Sequence, residues 1–416
     1  MPTSNSKLRA LRESRPSPAR PGTGLSRGEL AEAVNEYLWR TTGRRYSLDA
    51  HTVARYERGA IGWPSAPYRE ALRAVLGVAK DADLGFHPTP RGRTTPSRAG
   101  RFLAGISIDS PAPTRIGWAD VEQVRAAVRA VAASENLFGG GLSCESGMAQ
   151  LRWAARLLDA RGSDEVRNAM HEAVGNLGGV VAYSAFDIAA YRAADQCFEF
   201  ALWCADEGGS WALRANTLAE MSRKAAHLGD LDGALAMIES ARSRPDRVSA
   251  TARAMMSTLR ARLLAVMGRP AEALADIERA DAHFAERDPA GDPPWLCYYD
   301  AAEHEGSTGK ALIPLALAGD RPEVAAPRLR TAIEAHRDDY PRSRAFSRIR
   351  LATLTMTAGD PREAAAIGRR AVAEAAPLRS RRLLAELGRL ADAARPHTRV
   401  GDVADLRADI AELAAP

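Results

Sequence analysis

Leu30, Val34 and Leu38 stand at i, i+4 and i+8, and this spacing predicts a helix with one apolar stripe. It opens at Ser26-Arg27-Gly28-Glu29, the form of a capping box: a hydroxyl at the N-cap, and three residues later a Glu that returns the hydrogen bond. Leu8 and Leu11 mark a short helix before it, over 7–14, and Pro16, Pro18, Pro21, Gly22 and Gly24 separate the two. A loop from Arg40 to Ser47 leads into another short helix, Asp49 to Arg58, closed by Gly59, a residue suited to the left-handed position after a helix. Trp63-Pro64 marks a turn, and Pro67 opens a last helix carrying Leu72, Val75 and Leu76.

From His87 the pattern stops: Pro88, Pro90, Pro96 and interspersed Thr, Gly and Arg leave little to bury, as in a flexible basic linker. Phe102–Ile108 is briefly apolar, then Pro111 and Pro113 interrupt again. From Trp118 the helical period resumes and holds almost to the end, in roughly fourteen segments parted by short Gly, Asp or Pro turns, with no stretch that demands a strand. The fold class expected is all-α, with a small helical domain at 1–86, a linker at 87–117 and a helical array at 118–416.

The array repeats. Gly229-Asp-Leu-Asp-Gly-Ala234, Gly268-Arg-Pro-Ala-Glu-Ala273, Gly319-Asp-Arg-Pro-Glu-Val324 and Gly359-Asp-Pro-Arg-Glu-Ala364 are four versions of one turn. In each, a Gly ends one helix, a polar residue or Pro opens the next, and a small residue (Val324 in one copy) follows five positions after the Gly. With Ala194 as a fifth, the spacings are 40, 39, 51 and 40 residues; the odd 51 contains the inserted loop Asp288–Pro294. A period near 40 with two helices per unit predicts a solenoid of helical hairpins, the small residue sitting where the two helices approach closely.

Charge divides along the same boundary. Residues 1–101 hold 18 Lys/Arg against 9 Asp/Glu, a net +9, whereas 102–416 hold 39 against 43, a net −4. One end suits a polyanion and the rest does not. Only Lys7, Lys80, Lys224 and Lys310 are lysines, a bias that a genome rich in G and C produces along with abundant Ala, so not every Arg is read as a phosphate contact.

Leu25-Ser26 with Glu29-Leu30-Ala31, then Thr52-Val53-Ala54-Arg55-Tyr56-Glu57-Arg58-Gly59 and Pro64-Ser65, resemble the helix-turn-helix of lambda-repressor/Cro-like (XRE-type) transcription regulators over about residues 7–85. The sequence departs from that pattern at Arg27, where the family often has Gln, and in a longer loop between the two key helices. The resemblance implies that the helix beginning at Asp49 enters the DNA major groove. By position Ala50, His51, Thr52 and Arg55 would then face base edges, with Arg55 suited to guanine and Ala50 or Thr52 to a thymine methyl. Ser26, Arg27, Arg44, Arg45 and Arg58 are candidate phosphate contacts. Val53 is expected in the core, with Glu57 paired to Arg9 or Arg12.

The repeats are similar to tetratricopeptide (TPR-like) repeats with longer helices, most clearly over 187–376. The combined layout resembles helix-turn-helix/TPR regulators common in actinobacteria and, in broad architecture, peptide-sensing regulators of Gram-positive bacteria. The resemblance implies double-stranded DNA carrying an inverted repeat as a partner, a homodimer, and a peptide, small molecule or protein as effector on a concave surface. Asn176 and Asn216, each 18 residues before a repeat Ala, share one register, and a stack of amides there is an expected ligand-binding feature for a peptide backbone. The alternative is a protein-interaction scaffold with a basic tethering head.

Enzymatic motifs fail on inspection. Gly139-Gly140-Gly141 before Leu142-Ser143-Cys144 has neither a preceding strand nor a GxSxG order. Gly306-Ser-Thr-Gly309-Lys310 has His304 where the first glycine of a phosphate loop belongs and Ala311 where Ser or Thr would bind magnesium. The eight histidines are scattered, and Cys144, Cys197, Cys204 and Cys297 form no CxxC pair. Cys197 and Cys204 are expected as core thiols, and Trp153, Trp203, Trp211 and Trp295 as repeat packing. No catalytic residues, no cofactor and no metal are expected. The densest apolar run, Val180–Phe186, is far short of a membrane span, and Lys7, Arg9, Arg12 and Glu13 precede no apolar segment of a secretory signal. A cytoplasmic protein with no membrane partner is expected.

Overall fold

The computed structural model describes residues 5–43, 46–86, 111, 113–319 and 321–414; there the regular secondary structure is helix, joined by turns and loops, with isolated bridges at Pro16–Gly24 and Arg115–Arg161 and no strand. It forms two compact units, 1–110 and 111–416.

The first unit contains α1 (Ser6–Ser14), α2 (Arg27–Thr42), α3 (Ala50–Glu57) and α4 (Ala66–Leu76). The predicted capping box is formed: Ser26 Oγ accepts from Glu29 N and Glu29 Oε2 accepts from Ser26 N at 2.7 Å. α3 is capped by Asp49, which accepts from Thr52 N at 2.7 Å, a contact contributing about 1 kcal/mol. Leu8, Leu30, Val34, Leu38, Val53, Tyr56, Leu72 and Leu76 close one core, joined by Leu84 and Phe86 from the segment after α4.

The second unit contains α5 (Trp118–Phe138), α6 (Gly140–Ala155), α7 (Asp164–Asp187), α8 (Tyr191–Glu207), α9 (Trp211–His227), α10 (Leu231–Ala241) and α11 (Ala250–Val266). It continues with α12 (Pro270–Ala285), α13 (Ala301–Ala318), α14 (Ala326–Ala335), α15 (Pro341–Ala358), α16 (Pro361–Ala375), α17 (Arg381–Ala393) and α18 (Gly401–Leu413). Their starts are set locally: Ser163, Ser210, Asp230, Ser249, Asp300, Asp360 and Ser380 each turn a side-chain oxygen onto an amide of the first turn. Consecutive helices pack in pairs from α7–α8 to α15–α16, and the first helix of each pair also packs on the first helix of the next.

The repeat alanines behave as the period predicts: Ala194, Ala234, Ala273 and Ala364 are fully buried, each near the start of a second helix. The fourth copy differs. A 3-10 turn, Pro322–Val324, precedes α14, so Val324 is only partly buried and the fully buried small residue is Ala325. The linker expected at 87–117 also ends sooner. Ile116 N donates to Arg161 O and Arg161 N to Thr114 O, and Ile116 packs in the second unit's core, so 114–117 belong to that unit; residues 87–110 and 112 lie outside the described residues.

The array returns on itself, which a repeat pattern does not announce. α15 packs against α5. Arg342 donates to Glu135 at 2.6 Å and lies 3.1 Å from Asp187; Ser380 donates to Asp187 at 2.9 Å; Arg379 N donates to Phe138 O at 3.0 Å. Among the described residues no helix is long and apolar enough to cross a membrane.

Candidate functional site

In the first unit α3 is split lengthwise. Val53, Ala54, Tyr56 and Glu57 are buried, while Ala50, His51, Arg55 and Arg58 are exposed and Thr52 is half-buried. The 3.6-residue period alone produces that division, because the buried positions meet the core of α1, α2 and α4. Neither Arg55 nor Arg58 forms an ion pair with another described residue, so both guanidinium groups are available to a partner. Asp49, at the opposite, N-terminal end of the helix, is held below the usual carboxylate range by hydrogen bonds from Thr52.

Glu57 fixes how α3 sits. Buried to 3% exposure, it accepts from Arg12 Nε at 2.6 Å and from Arg27 Nε at 2.7 Å, linking α1, α2 and α3. Of the two pairings expected, Arg12 makes the contact and Arg9 pairs with Glu13 instead. Arg27, expected on phosphate, thus holds Glu57, and Ser26 Oγ caps α2. Arg44 and Arg45 lie outside the described residues.

The second unit holds an open cavity of about 390 Å³. First helices of successive pairs supply its wall: α7 gives Tyr183 and Phe186, α9 gives Arg223 and His227, α11 gives Arg262. Across from them α13 contributes Glu303 and Lys310, α15 contributes Arg342, Phe346 and Arg350, and α17 contributes Arg382, Glu386 and Arg389. Burial holds the Lys310 ammonium well below its usual range, with Arg262 and Arg350 adding repulsion, and burial likewise brings Arg262 down to about 9. Burial opposes ionisation of Glu386, but Lys310, Arg350 and Arg389 outweigh it and hold the carboxyl far below its usual range.

Asn176 is buried on α7 and Asn216 half-buried on α9 with its Oδ1 unpaired. Neither lines the cavity, whose wall is made by residues two turns further along the same helices. The lining residues carry a signal of their own: Tyr183 and Arg223 are 40 apart, Arg223 and Arg262 39, Lys310 and Arg350 40, Arg342 and Arg382 40. The period that aligns the asparagines aligns a wheel of cations as well.

Gly306, Ser307 and Lys310 sit within the continuous helix α13, so no phosphate-cradling loop exists there. Gly139 joins α5 to α6, a helix–helix connection. Cys197 and Cys204 are buried and unbonded, and burial pushes the Cys204 thiol up to about 12, away from a reactive thiolate. Trp153, Trp211 and Trp295 pack against the helical core, whereas Trp203 is 47% exposed. Among the described residues no group of three His, Cys, Asp or Glu side chains is placed to hold a metal ion. No known family model matches the chain, and no curated protein matches it.

Proposed function

We propose that this protein is a sequence-specific, DNA-binding transcription regulator whose helical array receives an effector. The observation that carries the reading is the exposed face of α3, where His51, Arg55 and Arg58 project from a helix locked to its neighbours by the buried Glu57 network. A rigid helix with free guanidinium groups suits major-groove contact, and the net +9 of residues 1–101 supplies sequence-independent attraction. The lambda-repressor/Cro-like pattern adds the expectation of a homodimer on an inverted repeat, with half-sites about one helical turn apart. The TPR-like array would sense, and its ligand alters DNA affinity only by binding the DNA-competent and incompetent states differently. No step here calls for catalysis.

The test is to incubate the full-length protein with sheared genomic DNA and sequence what is retained, beside Arg55→Ala and Arg58→Ala. Wild type enriches an inverted repeat. Arg55→Ala loses about 1–3 kcal/mol of discrimination at one position, and Arg58→Ala weakens all sequences alike with a shallower salt dependence. Sequence-blind retention by wild type and Arg55→Ala alike would overturn the reading and favour a scaffold with a tethering head.

A further inference from the structure

The cations around the second unit's cavity are not balanced by the carboxylates near them. Arg342 is matched by Glu135 and Asp187, and Asp187 also lies 3.8 Å from Arg382, which donates to Tyr183 Oη at 2.7 Å. Arg223 has Glu220 at 3.5 Å. Arg262, Lys310, Arg350 and Arg389 remain. Lys310, Arg350 and Arg389 share the single carboxylate of Glu386, at 3.3, 3.8 and 3.2 Å. Arg262 forms no ion pair with any described residue, and Glu303 is engaged by Ser307 at 2.8 Å. Seven lining cations thus face five carboxylates (Glu135, Asp187, Glu220, Glu303 and Glu386), an excess of two positive charges around one cavity, with Arg389 at its exposed rim.

Folding alone gives no reason to gather these groups. Each unmatched cation taken from water destabilises the unit, and the depressed Lys310 and Arg262 register that penalty. Arg223 Nε and Arg350 Nε are moreover buried with no hydrogen-bond acceptor. Arg382 lies over the rings of Tyr183, Phe186 and Phe346 at 5.0, 4.7 and 5.2 Å, which gives one wall an apolar surface. The volume falls in the range of small-molecule sites.

We propose that this cavity binds a small organic polyanion carrying at least two phosphate or carboxylate groups, held by Arg262, Lys310 and Arg350. Guanidinium forks recognise either group, and the ligand would supply acceptors to Arg262 and to Arg350 Nε and a further one to Lys310, which has only Glu386. That such a ligand acts as the effector rests on the function proposed above; the binding itself does not, and it is measured without DNA.

Sodium pyrophosphate and sodium citrate serve as probes, each titrated into the full-length protein by calorimetry and thermal melting, with sodium chloride at matched ionic strength as reference. At least one probe binds saturably and raises the melting temperature by about 3 °C or more at saturation; which of the two binds tighter assigns phosphate or carboxylate. Arg262→Met and Arg350→Met lose the response yet melt no lower than wild type without the anion, since Arg262 has no carboxylate partner and Arg350 only a share of Glu386. Arg55→Ala keeps the response. No shift beyond chloride with either probe overturns the proposal. So does a response lost in Arg55→Ala but kept in both cavity variants, which would assign the anion to the first unit, or cavity variants that melt below wild type and still bind. A wild type that binds a probe but selects no DNA sequence leaves the cavity proposal standing and removes only the regulator reading.

Discussion

At Glu57 three helices of the first unit meet on one carboxylate. Burial makes that charge expensive alone, and the two arginines make it tolerable, so removing either changes how α3 is held rather than a surface contact. Arg12→Met leaves Glu57 with Arg27 and is expected to cost about 3 kcal/mol. Hydrogen exchange of the α3 amides reads this as a protection loss of roughly a hundredfold. Adding Glu57→Met restores part of it, because the buried carboxylate that lost one of its arginines is then gone; a double variant no better protected than the single one would speak against the network. The Glu57–Arg12 pairing was legible in the sequence as one of two possibilities. Arg27 was not, since its contact crosses from the start of α2 to the end of α3, and only their packing brings the two within 2.7 Å.

Among the elements, the joint between α5 and α6 decides whether the array closes. Gly139 has φ +83°, and a Cβ there would lie 2.7 Å from the carbonyl oxygen of Arg379, whose amide bonds to Phe138 O. A side chain is excluded by conformation and by space together. Gly139→Ala is expected to lower the melting temperature by about 3–6 °C. Gly388→Ala, on α17 with open space around it, is expected to raise it slightly, since Ala is the better helix former. Equal effects of the two would disprove the role given to the joint. The helices themselves were readable, fourteen expected from Trp118 onward and fourteen α-helices described, because caps and apolar spacing act within a few residues. The fourth repeat escaped that reading: its Gly319 turn resembles the others, but a 3-10 turn delays α14 and moves the buried small residue from Val324 to Ala325.

For the whole molecule, two carboxylates tie stability to acid in both units. Hydrogen bonds from Ser17 and Ser26 hold Glu29 down at about 2. Burial raises the Asp281 carboxyl, but hydrogen bonds from His304 and Arg328 outweigh it and hold it at about 2 as well. A folded-state value below the unfolded one, near 4, gives stability that is present above pH 4 and lost as pH falls toward 2. Melting temperature should therefore drop across that window, and Glu29→Gln with Asp281→Asn should flatten the drop while lowering the plateau above it. The sequence by itself determined the helices, their caps, the 40-residue period and the charge asymmetry, since each depends on neighbours within a few turns or on a simple count. Tertiary structure alone decided which face of the repeated helices becomes an interior. The asparagine register and the cation register share one period, and only the packing of successive first helices on one another brings the stretch that carries Arg223, Arg262, Lys310 and Arg350 around one cavity.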